Sequence, residues 1–246
     1  MIQFIRLIIA CAVFTLSFNT IAGDANFSRF DLWLSGVNRT ATFELDNSLK
    51  LTNFGSTSQK GYAYIKLPIE IKPNTSFSTK FSFAAHVNNT SSNILYASGG
   101  ISFILHNDPI GLDANYLGGM GHSYYQNIMS VVFDSFSSEG TNNLYGDAVF
   151  LRDSSDEANL LVKTNTTDPV EFVTRARVLR YAWIDYNGEM DNIQIFLSAS
   201  DSKPLIPIIN NSIDLYAIVG DQAFVGFAAG TGAPSVHSST QEQHLN

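Results

Sequence analysis

Residues able to move protons, hold metals or attack carbon are few here, and they are scattered. The five histidines are His86, His106, His122, His237 and His244, and no two show metal-ligand spacing. Each reads as a surface or turn residue. The one cysteine, Cys11, lies near the start, so no disulfide within the chain, thiolate-rich zinc site or multi-cysteine iron–sulfur cluster can be built. No G-x-S-x-G elbow, H-E-x-x-H pair or P-loop occurs. Glu44-Leu45-Asp46 comes nearest to the in-step carboxylates of a sandwich glycosidase. No further carboxylate follows in step, since Ser48 and Leu49 come next, and the stretch reads as a strand edge entering a turn at Asp46-Asn47. Asp185-Tyr186-Asn187-Gly188 has the look of a calcium loop without the rest of the EF-hand pattern, and it too reads as a turn. The expectation is a non-catalytic protein.

The elements that carry these residues are written in a period of two. Phe77, Thr79, Phe81 and Phe83 share one face of a strand, and Ser78, Lys80 and Ser82 share the other. Residues 40–45, 48–52 and 62–67 alternate similarly. Residues 101–105 and 129–136 are more continuously apolar, as strands buried on both faces would be. Residues 178–186 and 193–199 flank Asn187-Gly188, and residues 188–192 are predicted as the loop between them. Phe224–Ala229 is a late core strand. No sustained 3.6-residue period is present, and the best helix start is Ser154-Ser155-Asp156-Glu157. Many short strands between turns predict an all-β sandwich or jelly roll. Two long polar loops, 107–127 and 137–146, stand out as carriers of function.

Length and charge narrow the class. The chain has 246 residues, 45% of them apolar and 15% charged, enough for one core with a neutral-polar surface. Against 22 acidic residues stand 14 basic ones, a net charge of −8. That balance argues against nucleic acid and against electrostatic docking on anionic lipid. Arg6, the apolar run 7–18 and the small residues ending at Ala22-Gly23 predict a secretory signal over residues 1–23, too short to span a membrane. Cleavage is expected after Ala22 or Gly23. Residues 24–246 then form one cysteine-free domain, and the expected location is secreted or extracytoplasmic. Sequons at Asn38, Asn74 and Asn165 matter only in a glycosylating secretory pathway, and chance occurrence is their default reading in a chain so rich in Asn, Ser and Thr.

Several stretches, taken in order, match one family. They are Ser48–Thr52, Gly61–Tyr64, Thr75–Phe83, Gly100–Pro109, Leu117–Gly121, Val131–Phe136, Trp183–Gly188 and Phe224–Gly232. In order and spacing the chain resembles the legume-type (L-type) lectins. The resemblance implies a concanavalin-like jelly-roll sandwich of antiparallel sheets with sugar-binding loops at one end. Sugars offer hydroxyls and apolar C–H faces, so such a site needs a carboxylate, an amide, backbone N–H groups and an aromatic platform. By resemblance, the carbohydrate-binding positions are Ser98, Gly99, Gly119, Phe136 and Asn142, and the metal-binding positions are Asp134, Phe136, Asn142 and Asp147. The metal-loop amide falls near Ser138, or on Asn142 or Asn143 if the loop is shifted.

The chain departs from the family pattern at defined places. The Glu two residues before the metal-loop Asp is Val132 here, and the metal-binding His is missing, with Tyr145 and Asp147 nearby. The transition-metal site is therefore expected to be lost, while Ca2+ could still find oxygen donors. The sugar-binding Asp falls on Gly99. Two functions stay open: a secreted lectin binding glycans or glycoproteins, or a lectin-fold protein that has lost sugar binding and acts through protein contacts, as arcelins and amylase inhibitors do. A homodimer is expected by resemblance alone.

Overall fold

The computed structural model describes residues 15–18, 32–37, 41–44, 48–53, 59–87, 99–113, 126–134, 148–153, 160–165, 173–174, 178–231 and 241–245. In chain order the strands are β1 (Thr15–Phe18), β2 (Leu32–Val37), β3 (Thr42–Phe43), β4 (Leu49–Thr52), β5 (Lys60–Ile65), β6 (Ile69–Glu70), β7 (Phe77–Val87), β8 (Gly99–His106) and β9 (Ile128–Asp134). They continue with β10 (Ala148–Asp153), β11 (Leu160–Asn165), β12 (Val173–Thr174), β13 (Arg180–Asn187), β14 (Asn192–Ser198), β15 (Ile209–Ser212), β16 (Gln222–Thr231) and β17 (Gln241–Leu245). Among the described residues one α-helix, α1, spans Leu215–Val219, and a 3-10 turn spans Gly111–Asp113.

Two sheets stack as a sandwich. The back sheet runs β15-β14-β13-β7-β17-β4-β3, with β1 and β12 also on β7. The front sheet runs β11-β10-β9-β8-β16-β5-β2, with β6 on β16. Pairing is antiparallel, as expected, except where β12 lies parallel to β7. The alternation in β7 holds: Phe77, Thr79, Phe81 and Phe83 are buried, while Ser78, Lys80 and Ser82 are only partly so. Phe81 meets Phe227 of the front sheet edge-on at 4.9 Å, and Phe83 meets Phe133 at 5.0 Å. These rings join the two sheets, and truncating Phe81 to Ala would cost about 3–5 kcal/mol.

The front sheet is buried on its outer face too. There Tyr62, Tyr64, Ile104, Ile128 and Ala228 form a second cluster, with Leu112 and Phe224 against it. Val132, Ala148 and Phe150 form a third. This is why β8 and β9 read as continuous apolar runs.

The hairpin between β13 and β14 turns over residues 188–191, with Asn187 opposite Asn192. Asn187 Oδ1 accepts the N–H groups of Glu189 and Met190, and Asp191 takes the positive φ. Helix α1 has no counterpart in the sequence reading, because one turn leaves no period to find. Asp214 caps it by accepting from Ala217 N at 2.9 Å. The expected helix start at 154–157 lies outside the described residues. Residues 15–18 of the expected leader stand as β1 beside Phe77–Lys80, and no described helix is long and apolar enough to cross a membrane.

Candidate functional site

One row of paired residues crosses the front sheet at one end. It runs Asn165, Ala148, Asp134, Gly100, Gly230, Lys60 and Val37, each opposite the next. Neighbours in such a row sit about 5 Å apart with their side chains on one face. Asp134, half-buried, therefore stands between Gly100 and Ala148 in the row. One residue further out, Gly99 faces Thr231. The segments 88–98, 135–147 and 232–240 all spring from this end.

The row's right flank is fastened by Gln59, which is 2% exposed. Its N–H donates to Thr231 Oγ1 at 2.9 Å, and Thr231 N donates to its carbonyl at 3.0 Å. The Gln59 side chain then accepts from Asn53 N at 2.8 Å and donates to Asn53 O at 3.0 Å, closing the 53–59 loop as a ladder would. The sequence reading missed Gln59. A buried amide in a loop leaves no pattern before its partners are known.

The Gly-rich loop is rooted elsewhere. β8 runs from Gly99 to His106 and β9 returns from Ile128 to Asp134, so loop 107–127 starts at the end opposite the row. Its base is closed twice. Asn107 N donates to Asn127 O at 2.9 Å, and the buried Asp108 carboxylate accepts Ile110 N at 2.9 Å and Gln126 N at 2.6 Å. Before it stands His106, fully buried, whose ring meets Tyr64 edge-on at 5.1 Å and lies 5.5 Å from Phe224. Its Nδ1 accepts from Asp108 N at 3.3 Å. Burial pulls its pKa down from 6.5 to about 4, against the opposing pull of Asp108, so it is neutral at pH 7. The expectation of a surface or turn histidine fails at His106, because the covered outer face of β8 buries every second residue.

Of the expected site residues, Gly99 and Asp134 are described and lie on neighbouring strands at the same end. Ser98, Gly119, Phe136, Asn142 and Asp147 lie outside the described residues, as do Ser138, Asn143 and Tyr145. Gly99 has φ 139°, a conformation that side chains other than glycine rarely adopt. Val132 is fully buried against Ala148 and Phe150, an apolar setting in which a charge is costly unless paired. Among the described residues no group of three or more His, Cys, Asp or Glu gathers at Asp134. For calcium, Asp134 is the described donor.

The turn expected at Asp46-Asn47 lies outside the described residues, and Asp185, expected in a turn, lies within strand β13 opposite Ser78. Glu44 pairs with Lys50 at 2.6 Å, and its N–H closes a hairpin on Ser48 O at 2.9 Å. Asp185 accepts from Ser78 Oγ and pairs with Lys203, whose ammonium lies 4.2 Å from the Phe196 ring centre.

The legume lectin domain model matches residues 18–242. An L-type lectin-domain containing receptor kinase, VIII.2 of Arabidopsis thaliana, is 30% identical over 239 residues, covering 89% of this chain and 32% of that protein. Receptor kinase IV.2 of the same plant is also 30% identical, over 82% of this chain and 31% of its own. The chain thus spans about a third of the length of these relatives. Among solved structures, a Bauhinia forficata lectin in complex with GalNAc superposes with a TM-score of 0.65 at 19% identity, covering 89% of this chain and 91% of that one. Arcelin-5, a lectin-like defence protein from Phaseolus vulgaris, gives 0.64 at 18% identity, covering 94% and 95%. Both share the concanavalin-like jelly roll expected here.

Proposed function

We propose, from the premise that the chain belongs to the legume lectin domain family, that it is a secreted, non-catalytic protein binding glycans or glycoproteins at the Asp134 end of the front sheet. The observation that carries this reading is the row that sets Asp134 between Gly100 and Ala148, with Gly99 and Thr231 beside it. An acceptor carboxylate between small residues offers what a sugar hydroxyl or a hard cation needs. Phe136 and Asn142 lie two and eight residues after Asp134 in the chain and would supply the stacking face and the amide. Where calcium binds, Asp134, the Phe136 carbonyl, Asn142 and Asp147 would hold it and fix these loops.

Gly119 can join them from the opposite end. It lies six residues after Asp113 and seven before Gln126. An extended chain spans at most about 3.5 Å per residue, so the loop tip reaches about 21 Å, close to the length of β9. A homodimer through the edge strands of the back sheet, β15 or β3, accords with the family resemblance.

One observation favours the alternative, a lectin fold working through protein contacts. Gly99 removes the sugar carboxylate and its φ bars a simple return. Glycan-array binding with and without EDTA separates the two. Saturable binding that EDTA weakens supports the lectin reading. An empty array from a protein that stays folded in EDTA supports the alternative, and turnover of any glycan contradicts both.

A further inference from the structure

We propose that Asn74 carries an N-linked glycan at the α1 end of the sandwich, an inference that rests on the reading that the chain enters a secretory pathway. Asn74-Thr75-Ser76 is a sequon, and the structure gives it a setting that chance sequons need not have. Lys72-Pro73-Asn74-Thr75 is a turn closed by Thr75 N donating to Lys72 O at 3.0 Å. Pro stands second and Asn third with φ 68°, the pattern of a type II turn. Thr75 Oγ1 accepts Lys72 N at 2.8 Å and holds the turn from beneath, where Thr75 is 4% exposed.

The turn is also pinned against the β13–β14 hairpin. Gly188 N donates to Ser76 Oγ at 2.9 Å. A Cβ on Gly188 would stand 2.4 Å from Thr75 O and 2.5 Å from Asn74 C, so only glycine permits the approach. The backbone at Asn74 is thereby fixed, while its side chain is exposed and makes no hydrogen bond to another described residue. Asn74 opens onto a small cleft of about 110 Å³ lined by Pro73, Tyr186, Asp214 and Tyr216. The first sugar of a glycan would lie over this cleft, with the half-exposed Tyr216 as an apolar wall. By contrast, the sequon at Asn210 lies in edge strand β15, with its side-chain oxygen already accepting from Asn192 Nδ2 at 2.9 Å.

Asn74 Nδ2 forms a bond to the anomeric carbon of an oligosaccharide carried on a polyprenyl pyrophosphate. The carbon–oxygen bond to the pyrophosphate breaks, the polyprenyl pyrophosphate leaves with the electron pair, and the amide nitrogen gives up one proton.

The test expresses the full chain with its own leader in a eukaryotic cell line and digests the protein from the medium with peptide N-glycosidase in 18O water. The Asn74 peptide is expected to carry 18O-labelled Asp in most molecules. Asn74→Asp, which keeps the left-handed turn, is expected to be secreted with one fewer glycan. Secreted protein with an unlabelled Asn74 peptide overturns the proposal, and so does a chain that never enters the secretory route. Sugar binding is read separately on unglycosylated protein. Asn74 lies at the end away from Asp134, so failure of one proposal leaves the other standing.

Discussion

Gln59 and Thr231 hold each other reciprocally, the N–H of Gln59 on the Thr231 hydroxyl at 2.9 Å and the N–H of Thr231 on the Gln59 carbonyl at 3.0 Å. Thr231 is the residue opposite Gly99. The Gln59 side chain meanwhile closes the 53–59 loop on Asn53. Two loops at the proposed binding end therefore share one buried amide residue.

Gln59→Leu should lower stability by about 1–3 kcal/mol, since it leaves the Asn53 N–H and C=O without their partner. For a domain of this size each kcal/mol moves the melting temperature by about 2–4 °C. Glycan affinity should fall with it, while Gln222→Leu at the far end of β16, an exposed position, should change neither. Calorimetry and titration on both variants check this. Unchanged affinity in a destabilised Gln59→Leu would detach the pair from function.

Restoring the family carboxylate should not restore a family site. Gly99→Asp places a side chain at φ 139° and should cost about 1–3 kcal/mol without raising glycan affinity. Val132→Glu buries a carboxylate against Ala148 and Phe150 and should cost at least about 3 kcal/mol, with no gain in Mn2+ binding. Thermal melts with and without Mn2+ read both. A stabilised Val132→Glu in the presence of Mn2+ would show that the metal pocket survives.

Stability should fall as acid reaches His106. Its folded pKa of about 4 lies below the 6.5 of an unfolded histidine, so between these values the unfolded chain binds the extra proton. The contribution is whole above pH 6.5 and is lost as pH falls toward 4, about 3 kcal/mol in all. Urea melts from pH 7 to 4 should show this slope, and His106→Gln should flatten it whatever its own stability. A slope that persists in the variant assigns the acid sensitivity to other groups.

The sandwich was legible because period-two burial is a local signal: the face of β7 can be read from Phe77, Phe81 and Phe83 alone. The double burial of β8 and β9 was legible from a different local signal, apolar runs that do not alternate. His106 was misread because its burial comes from a loop covering the outer face, which no alternation records. Asp134 and Gly99 rest on likeness to a motif rather than on chemistry, since a lone carboxylate beside glycine has no signature. Gln59 and Asp108 escaped notice because loop anchors are defined by partners 172 and 18 residues away.

The N-terminus sets up a direct choice. If residues 1–23 are a leader, the processed chain begins at Gly23 or Asp24 and loses β1 beside Phe77–Lys80. Intact mass of protein from the medium of the expressing cells should give one of those two starts. A mature chain that retains Thr15–Phe18 would make β1 a permanent strand of the back sheet.

Hydrogen–deuterium exchange with and without a glycan-array ligand tests the central claim most directly. Binding at the Asp134 end predicts slowed exchange at 99–100, 134 and 230–231, lost in Asp134→Ala, with 186–191 and 214–221 unchanged. Protection confined to the α1 end, or no protection with any glycan of the panel, would contradict it.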